Sequence, residues 1–241
     1  MNQSIPKIIA WSVHAYTILG GVVGMIALAA IAAQETRMAW FLLIVAFIID
    51  STDGILARKY RVQDVLPNFD GAKIDDLIDF LTYVWAPVLI LHTENLISNP
   101  LWLGIPIIGS LFAYGHTGMK EVEGEAYFIR FPSYWNVLVL YLYWLRPTEV
   151  VVISLLTMGM ILSFIPTRYL YPSKNPKYPI FTIGLALIWI PLMLTLLSQQ
   201  QPNPAWVIIS LFYPVYYMGM SFYIELTYRY RSRGEHIPIR N

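Results

Sequence analysis

Two pairs of aspartates fall at the edges of long apolar runs, where charge is costly and needs a reason. Asp50 and Asp53 are three residues apart, and Asp75 and Asp79 are four apart. On a helix either spacing puts both side chains on one face. The first pair ends the run at 38–57 and the second opens the run at 74–93. A short connection makes these two runs antiparallel, so the two acidic faces can meet at one depth. Four carboxylates in a partly desolvated place repel one another or take up protons unless cations hold them. Their hard oxygens suit Mg²⁺ or Mn²⁺. A pair of such ions about 3.5–4 Å apart clamps phosphoryl oxygens during in-line displacement. The spacing therefore predicts a dinuclear phosphoryl-transfer site.

The residues around the acids suit the same chemistry. Gly54 and Ala57 form a stripe poor in Cβ atoms, open to a second helix or a flat nucleotide. Arg58 sets a guanidinium next to the acids, apt for phosphate. Gly71 opens the third helix, where unpaired backbone N–H groups favour anions. Asp70 is expected to be the N-cap of that helix. Asp76, turned about 100° from Asp75, is expected to face away.

The elements that must hold these groups are read from hydropathy. Of 241 residues, 57% are hydrophobic and only 13% charged, too little charge to cover a water-soluble domain of this length. Roughly 20 apolar residues span the hydrocarbon core as a helix. Such runs lie near 8–33, 38–57, 74–93, 100–119, 133–145, 149–166, 178–198 and 204–226. The fifth is short and is expected to borrow residues from the Ala126–Phe131 side. The expected fold class is an all-α integral membrane bundle of about eight transmembrane helices. Ala30-Ile31-Ala32 resembles a signal-peptide cleavage site, but the run before it far exceeds the ~7–15 residues of a signal core. A retained helix is expected. With eight alternating helices, every Lys and Arg except Arg37 and Arg146 falls on one side. By the positive-inside rule that side is cytoplasmic, with both termini and the four aspartates.

No repeat or linker divides the chain, so 1–241 reads as one domain. Pro87, Pro106, Pro191 and Pro214 fall inside expected helices and mark expected kinks. The absence of cysteine excludes disulfides and thiolate metal sites, and a net charge of +1 gives no general attraction for nucleic acid.

The segment Asp50-Ser-Thr-Asp53-Gly54-Ile-Leu-Ala57-Arg58, followed by Gly71-Ala-Lys-Ile-Asp75-Asp-Leu-Ile-Asp79, resembles the signature of the CDP-alcohol phosphotransferases. The resemblance implies that Asp50, Asp53 and Asp75 hold two divalent metals, Mn²⁺ or Mg²⁺. Asp79 would complete the second metal site and act as base toward the acceptor hydroxyl. Gly54 and Ala57 would line the cytidine pocket, with Arg58 and Gly71 beside it. His14 and Thr17 stand where relatives have an Asn and a Thr near the nucleotide.

The commonest form of the signature has a shorter segment between the arginine and the second glycine than the 59–70 found here. The longer gap is similar to bacterial phosphatidylcholine synthases, which join CDP-diacylglycerol to choline and release CMP. Phe131-Pro-Ser-Tyr134-Trp135-Asn136 and Ser12-Val-His14-Ala-Tyr16-Thr17 also resemble that subgroup. A trimethylammonium cannot donate hydrogen bonds and is met by aromatic faces. Tyr134 and Trp135, then Tyr16 and Tyr83, are the candidates. The resemblance further implies a multi-pass protein of the bacterial inner membrane, working among membrane lipids and pairing as a homodimer as many relatives do. One alternative keeps the chemistry and changes the acceptor to serine, inositol phosphate or glycerol phosphate. Another is an ion or metal transporter, but transport favours acids near the bilayer midplane, and these lie toward one end.

Overall fold

Each of the eight apolar runs is mostly helical among its described residues. The computed structural model describes residues 4–116, 120–123, 125–172 and 179–234. The ends of the fourth and seventh runs, at 117–119 and 178, lie outside the described residues. Long, mostly apolar sequence gives α1 (Ser4–Ala32) and α2 (Thr36–Lys59). A single helical turn, α3 (Val62–Val65), sits in the next loop. Residues 71–93 then run as one rod with three parts: α4 (Gly71–Asp79), a π-helical turn (Phe80–Trp85) and α5 (Ala86–Thr93). There follow α6 (Gly104–Tyr114), α7 (Trp135–Leu145), α8 (Glu149–Phe164), α9 (Pro179–Ser198), α10 (Pro204–Ser210) and α11 (Phe212–Gly234).

Among the described residues, four stretches are long and apolar enough to cross a membrane: Pro6–Ala32, Thr36–Lys59, Phe181–Ser198 and Pro204–Tyr230. Helices α6, α7 and α8 are apolar but shorter, and the 71–93 rod is charged over its first turns. Helix α1 passes through Ala30-Ile31-Ala32 without a break.

Two of the four prolines stand at helix starts. Pro106 and Pro214 sit in the first turns of α6 and α11, where a missing N–H breaks no intrahelical bond. The run at 204–226 is therefore two helices, because Pro214 cannot donate to the Ser210 carbonyl. Pro191 lies inside α9.

The all-α expectation needs one correction. A small antiparallel sheet is formed by β1 (Lys120–Glu123), β2 (Glu125–Ile129) and β3 (Arg168–Leu170), in the order β1-β2-β3. Residues 126–129 are thus strand and do not extend the fifth helix, which starts at Trp135. The reason is local. Pro132 disfavours helical backbone at Phe131, and Arg130 and Ser133 on either side take positive φ of 87° and 56°.

The chain falls into two compact units. The first comprises Met1–Ile107 and Tyr134–Val152. Within it α1 packs along α2, against α4, the π-helical turn and α5, and α5 packs on α7. Gly20, Gly21 and Gly24 make the close approaches. An ideal Cβ on Gly20 would lie 3.3 Å from Ile49 Cγ2 and 3.6 Å from Ile78 Cγ2. On Gly21 it would lie 3.2 Å from Ile78, and on Gly24 2.8 Å from Leu81 and 2.9 Å from Thr82. Far from the acids, Glu94 at the end of α5 pairs with Arg146 and accepts from Thr36 Oγ1. Thr36 opens α2, about 21 Å along the helix from Asp50 at 1.5 Å per residue.

The second unit comprises Ile108–Ser133 and Ile153–Asn241. Here β3 is stitched to α11. Leu170 N–H donates to Ser221 Oγ (3.1 Å), Tyr217 Oη donates to the Leu170 carbonyl (3.0 Å), and Arg168 N–H donates to Glu225 (2.9 Å). Glu225 is buried and also accepts from the Arg168 and Arg229 guanidiniums. Arg130 satisfies the Ser163 and Phe164 carbonyls at the end of α8.

Candidate active site

Asp50 rides on α2 and Asp75 and Asp79 on α4, and all three converge in the first unit. Each can offer one carboxylate oxygen such that the three lie within 4.8 Å of one another, and each residue is half-buried. Hard oxygens this close, partly withdrawn from water, form a donor set for a divalent cation. Two α1 glycines bring the helices together. Gly20 touches the residue preceding Asp50 and the residue preceding Asp79, and Gly21 admits Ile78 more closely. A Gly-xxx-Gly spacing at 20 and 24 was the sequence signal for this packing, and it does not enter the aspartate pattern.

Asp53 is on the same helix as Asp50, is 5% exposed, and lies outside the group of three. Asp76 is also outside it. Asp70 caps α4 as expected, accepting from Lys73 N–H (3.2 Å) and pairing with Lys73 Nζ (3.2 Å). Those bonds hold its carboxyl below the ordinary carboxylate range.

Around the acids, the Arg58 guanidinium folds back over Gly54, Nη1 lying 3.3 Å from where a Cβ would be. Arg58 is exposed, so its fork remains open to an anion. Ala57 packs beside a small cluster of Ala10, Val13 and Val62, which keeps α1, α2 and α3 together. His14 is buried on α1, its ring 4.3 Å from Phe69 and 6.0 Å from Trp11. A Cβ on Gly71 would come within 2.6 Å of His14 Cε1, so only glycine fits there. His14 Nε2 has no hydrogen-bond partner among the described residues. Thr17 turns its hydroxyl back to the Val13 carbonyl (3.4 Å).

Of the aromatic candidates, Tyr134 is half-buried with its ring 6.1 Å from Tyr83. Trp135 is fully buried, and the Tyr16 hydroxyl is bonded to Thr52 (2.9 Å). Tyr83 is buried and donates to Asp50 Oδ2 (2.7 Å). That contact lies outside the aspartate signature, and nothing in the spacing of a lone tyrosine announces it.

A family model described as CDP-alcohol phosphatidyltransferase matches residues 13–213. The chain belongs to this family. The CDP-alcohol phosphatidyltransferases are divalent-metal dependent, and the Asp50–Asp75–Asp79 cluster could bind such an ion. With its apolar helices, membership makes this a multi-pass membrane protein. The chain is 31% identical over 227 residues to a phosphatidylcholine synthase of Pseudomonas aeruginosa, covering 90% of this chain and 92% of that one. It is 33% identical over 211 residues to one of Rhizobium meliloti, covering 85% of each. One of Borreliella burgdorferi is 29% identical over 238 residues, covering 96% of this chain and all of that one.

Proposed function

We propose that this protein is a phosphatidylcholine synthase, transferring the phosphatidyl group of CDP-diacylglycerol to choline with release of CMP. The observation that carries this reading is the aspartate cluster, inside a chain that resembles phosphatidylcholine synthases along most of its length. The reaction is a direct displacement. Asp79 accepts the proton of the choline hydroxyl, the choline oxygen forms a bond to the lipid-side phosphorus, and the bond from that phosphorus to the CMP oxygen breaks. No covalent intermediate is needed, because the carboxylates are committed to holding charge. Two divalent cations, Mn²⁺ or Mg²⁺, held by Asp50, Asp53, Asp75 and Asp79, would supply the positive charge that the diphosphate and departing CMP require.

The surrounding residues bind and orient. Arg58 offers two parallel N–H groups to a phosphate; Gly54 and Ala57 line the cytidine pocket, and Gly71 lies beside it against the His14 ring. His14 and Thr17 flank it from α1, His14 offering a buried nitrogen that has no partner among the described residues. Tyr134 leads the aromatic candidates for the trimethylammonium, since Trp135 is fully buried. The lipid enters sideways from the inner leaflet with its acyl chains left in the bilayer. In this reading eight helices cross the inner membrane of a bacterium, both termini and the site face the cytoplasm, the whole chain works as one catalytic domain, and two copies pair.

Expression in a bacterial host that makes no phosphatidylcholine tests the proposal. Lipid extracts from choline-fed cells should contain phosphatidylcholine, and those from cells carrying Asp79→Asn should not. Phosphatidylcholine absent from both, with the protein present in the membrane, would refute it.

A further inference from the structure

We infer that Tyr83 is a positioning residue of the transfer site, fixing Asp50 through its hydroxyl, and that the π-helical turn exists to deliver it there. The inference rests on the reading of Asp50 as a metal-holding residue.

An α-helix drifts about 40° for every four-residue step. Asp75, Asp79 and Tyr83 are spaced by four, so in an unbroken α-helix Tyr83 would stand about 80° round from Asp75. The π-helical turn at Phe80–Trp85 closes through Ala86 N–H to the Leu81 carbonyl, five residues back. Such a turn holds more residues than an α-turn, so it takes back part of that drift. Tyr83 thereby keeps company with the acids of its own helix and reaches across to Asp50 Oδ2 at 2.7 Å. The widening has a covalent cause nearby. Pro87 has no N–H to give the Tyr83 carbonyl, and its ring would press on that carbonyl in a regular helix. Gly24 on α1 accepts the bulge, with Leu81 and Thr82 where a side chain would otherwise be.

The bond has the form of an outer-shell contact. A phenol has one proton, and here it goes to one Asp50 oxygen, which stops the carboxylate from rotating. The Tyr83 ring is itself held, near Phe47 (6.5 Å) and Tyr134 (6.1 Å). It is 6% exposed, which suits an orienting role better than a face offered to choline. Losing an outer-shell partner commonly weakens metal affinity about 10–100-fold.

The test is Mn²⁺ binding itself, followed by electron paramagnetic resonance on purified protein in lipid nanodiscs without substrate. Wild type, Tyr83→Phe, Asp50→Asn and the double variant are compared, with thermal melts to show that each is folded. Tyr83→Phe should weaken Mn²⁺ binding roughly tenfold. In the Asp50→Asn background it should add no further loss, because the hydroxyl acts through that carboxylate. At saturating Mn²⁺ the KM for choline should not change. Wild-type Mn²⁺ affinity in Tyr83→Phe, with Asp50→Asn weakened, would overturn the inference and leave the metal reading standing. Undiminished binding in Asp50→Asn would instead remove the metal reading on which the inference depends. A raised KM for choline with unchanged Mn²⁺ affinity would make Tyr83 a substrate contact and overturn its positioning role.

Discussion

Gly24→Ala should damage catalysis from a position that touches no substrate. The new methyl would meet Leu81 Cδ2 at 2.8 Å and Thr82 Cγ2 at 2.9 Å. Carbon atoms rest about 3.5–4.0 Å apart, so α1 and the π-helical turn must separate by roughly 0.7–1 Å. Thr82 is buried and its hydroxyl is bonded to the Ile78 carbonyl (3.0 Å), so its methyl cannot simply swing away. Overpacking costs about 1–3 kcal/mol, and alanine returns about 1 kcal/mol of helix propensity. The net destabilisation is therefore modest, about 1 kcal/mol. Activity is hit harder, because the displaced rod carries Asp75 and Asp79. A misplacement of about 1 Å can cost on the order of 100-fold in rate. CMP release in lipid micelles should fall roughly 10–100-fold while the melting temperature drops only a few degrees. Gly21→Ala, whose methyl would lie 3.2 Å from Ile78, should be milder. Gly184→Ala, with no atom within 4 Å, should be silent. Full activity in Gly24→Ala would refute the view that the glycine stripe sets the acids.

Three further outcomes follow from other contacts. Gly71→Ala would drive a methyl into His14, and steady-state kinetics should show KM for CDP-diacylglycerol raised about tenfold, equivalent to about 1.4 kcal/mol. Glu225→Ala removes the buried acceptor shared by the Arg168 backbone N–H and the Arg168 and Arg229 side chains. It should cost about 1–3 kcal/mol, seen as a drop in melting temperature, because the buried Arg168 N–H loses its acceptor. Tyr169→Phe removes a hydroxyl that is buried without a partner among the described residues, and whose pKa burial pushes up to about 12. Thermal melts should show it neutral or stabilising by up to about 1 kcal/mol, since no bond is lost.

The meeting of Asp50, Asp75 and Asp79 could be read from sequence because its physics is local. The i,i+3 and i,i+4 spacings of Asp50, Asp53, Asp75 and Asp79 are fixed by helix geometry, and Asp70 capped α4 as its position required. Helix in each apolar run was legible for the same reason. What escaped depends on register and long-range fit. The π-helical turn resets the faces after Asp79, so Tyr83 could not be assigned to Asp50 by counting residues. The β1-β2-β3 sheet was hidden in short segments, and its β2–β3 pairing joins distant parts of the chain, Ile129 meeting Arg168. The Gly-xxx-Gly spacing at 20 and 24 signals close helix packing, but only the fold shows that Ile49, Ile78 and Leu81 fill the spaces opposite. Asp53 carried the same spacing signal as Asp50, yet it lies outside the group formed by Asp50, Asp75 and Asp79.

The most direct test of the account is CMP release by the purified protein in lipid micelles with CDP-diacylglycerol and Mn²⁺. Choline, serine, inositol, inositol phosphate and glycerol phosphate would each be offered alone, beside Asp79→Asn as control. The account predicts CMP with choline only, and none from the variant. Release with another acceptor in place of choline, or undiminished release by Asp79→Asn, would contradict it.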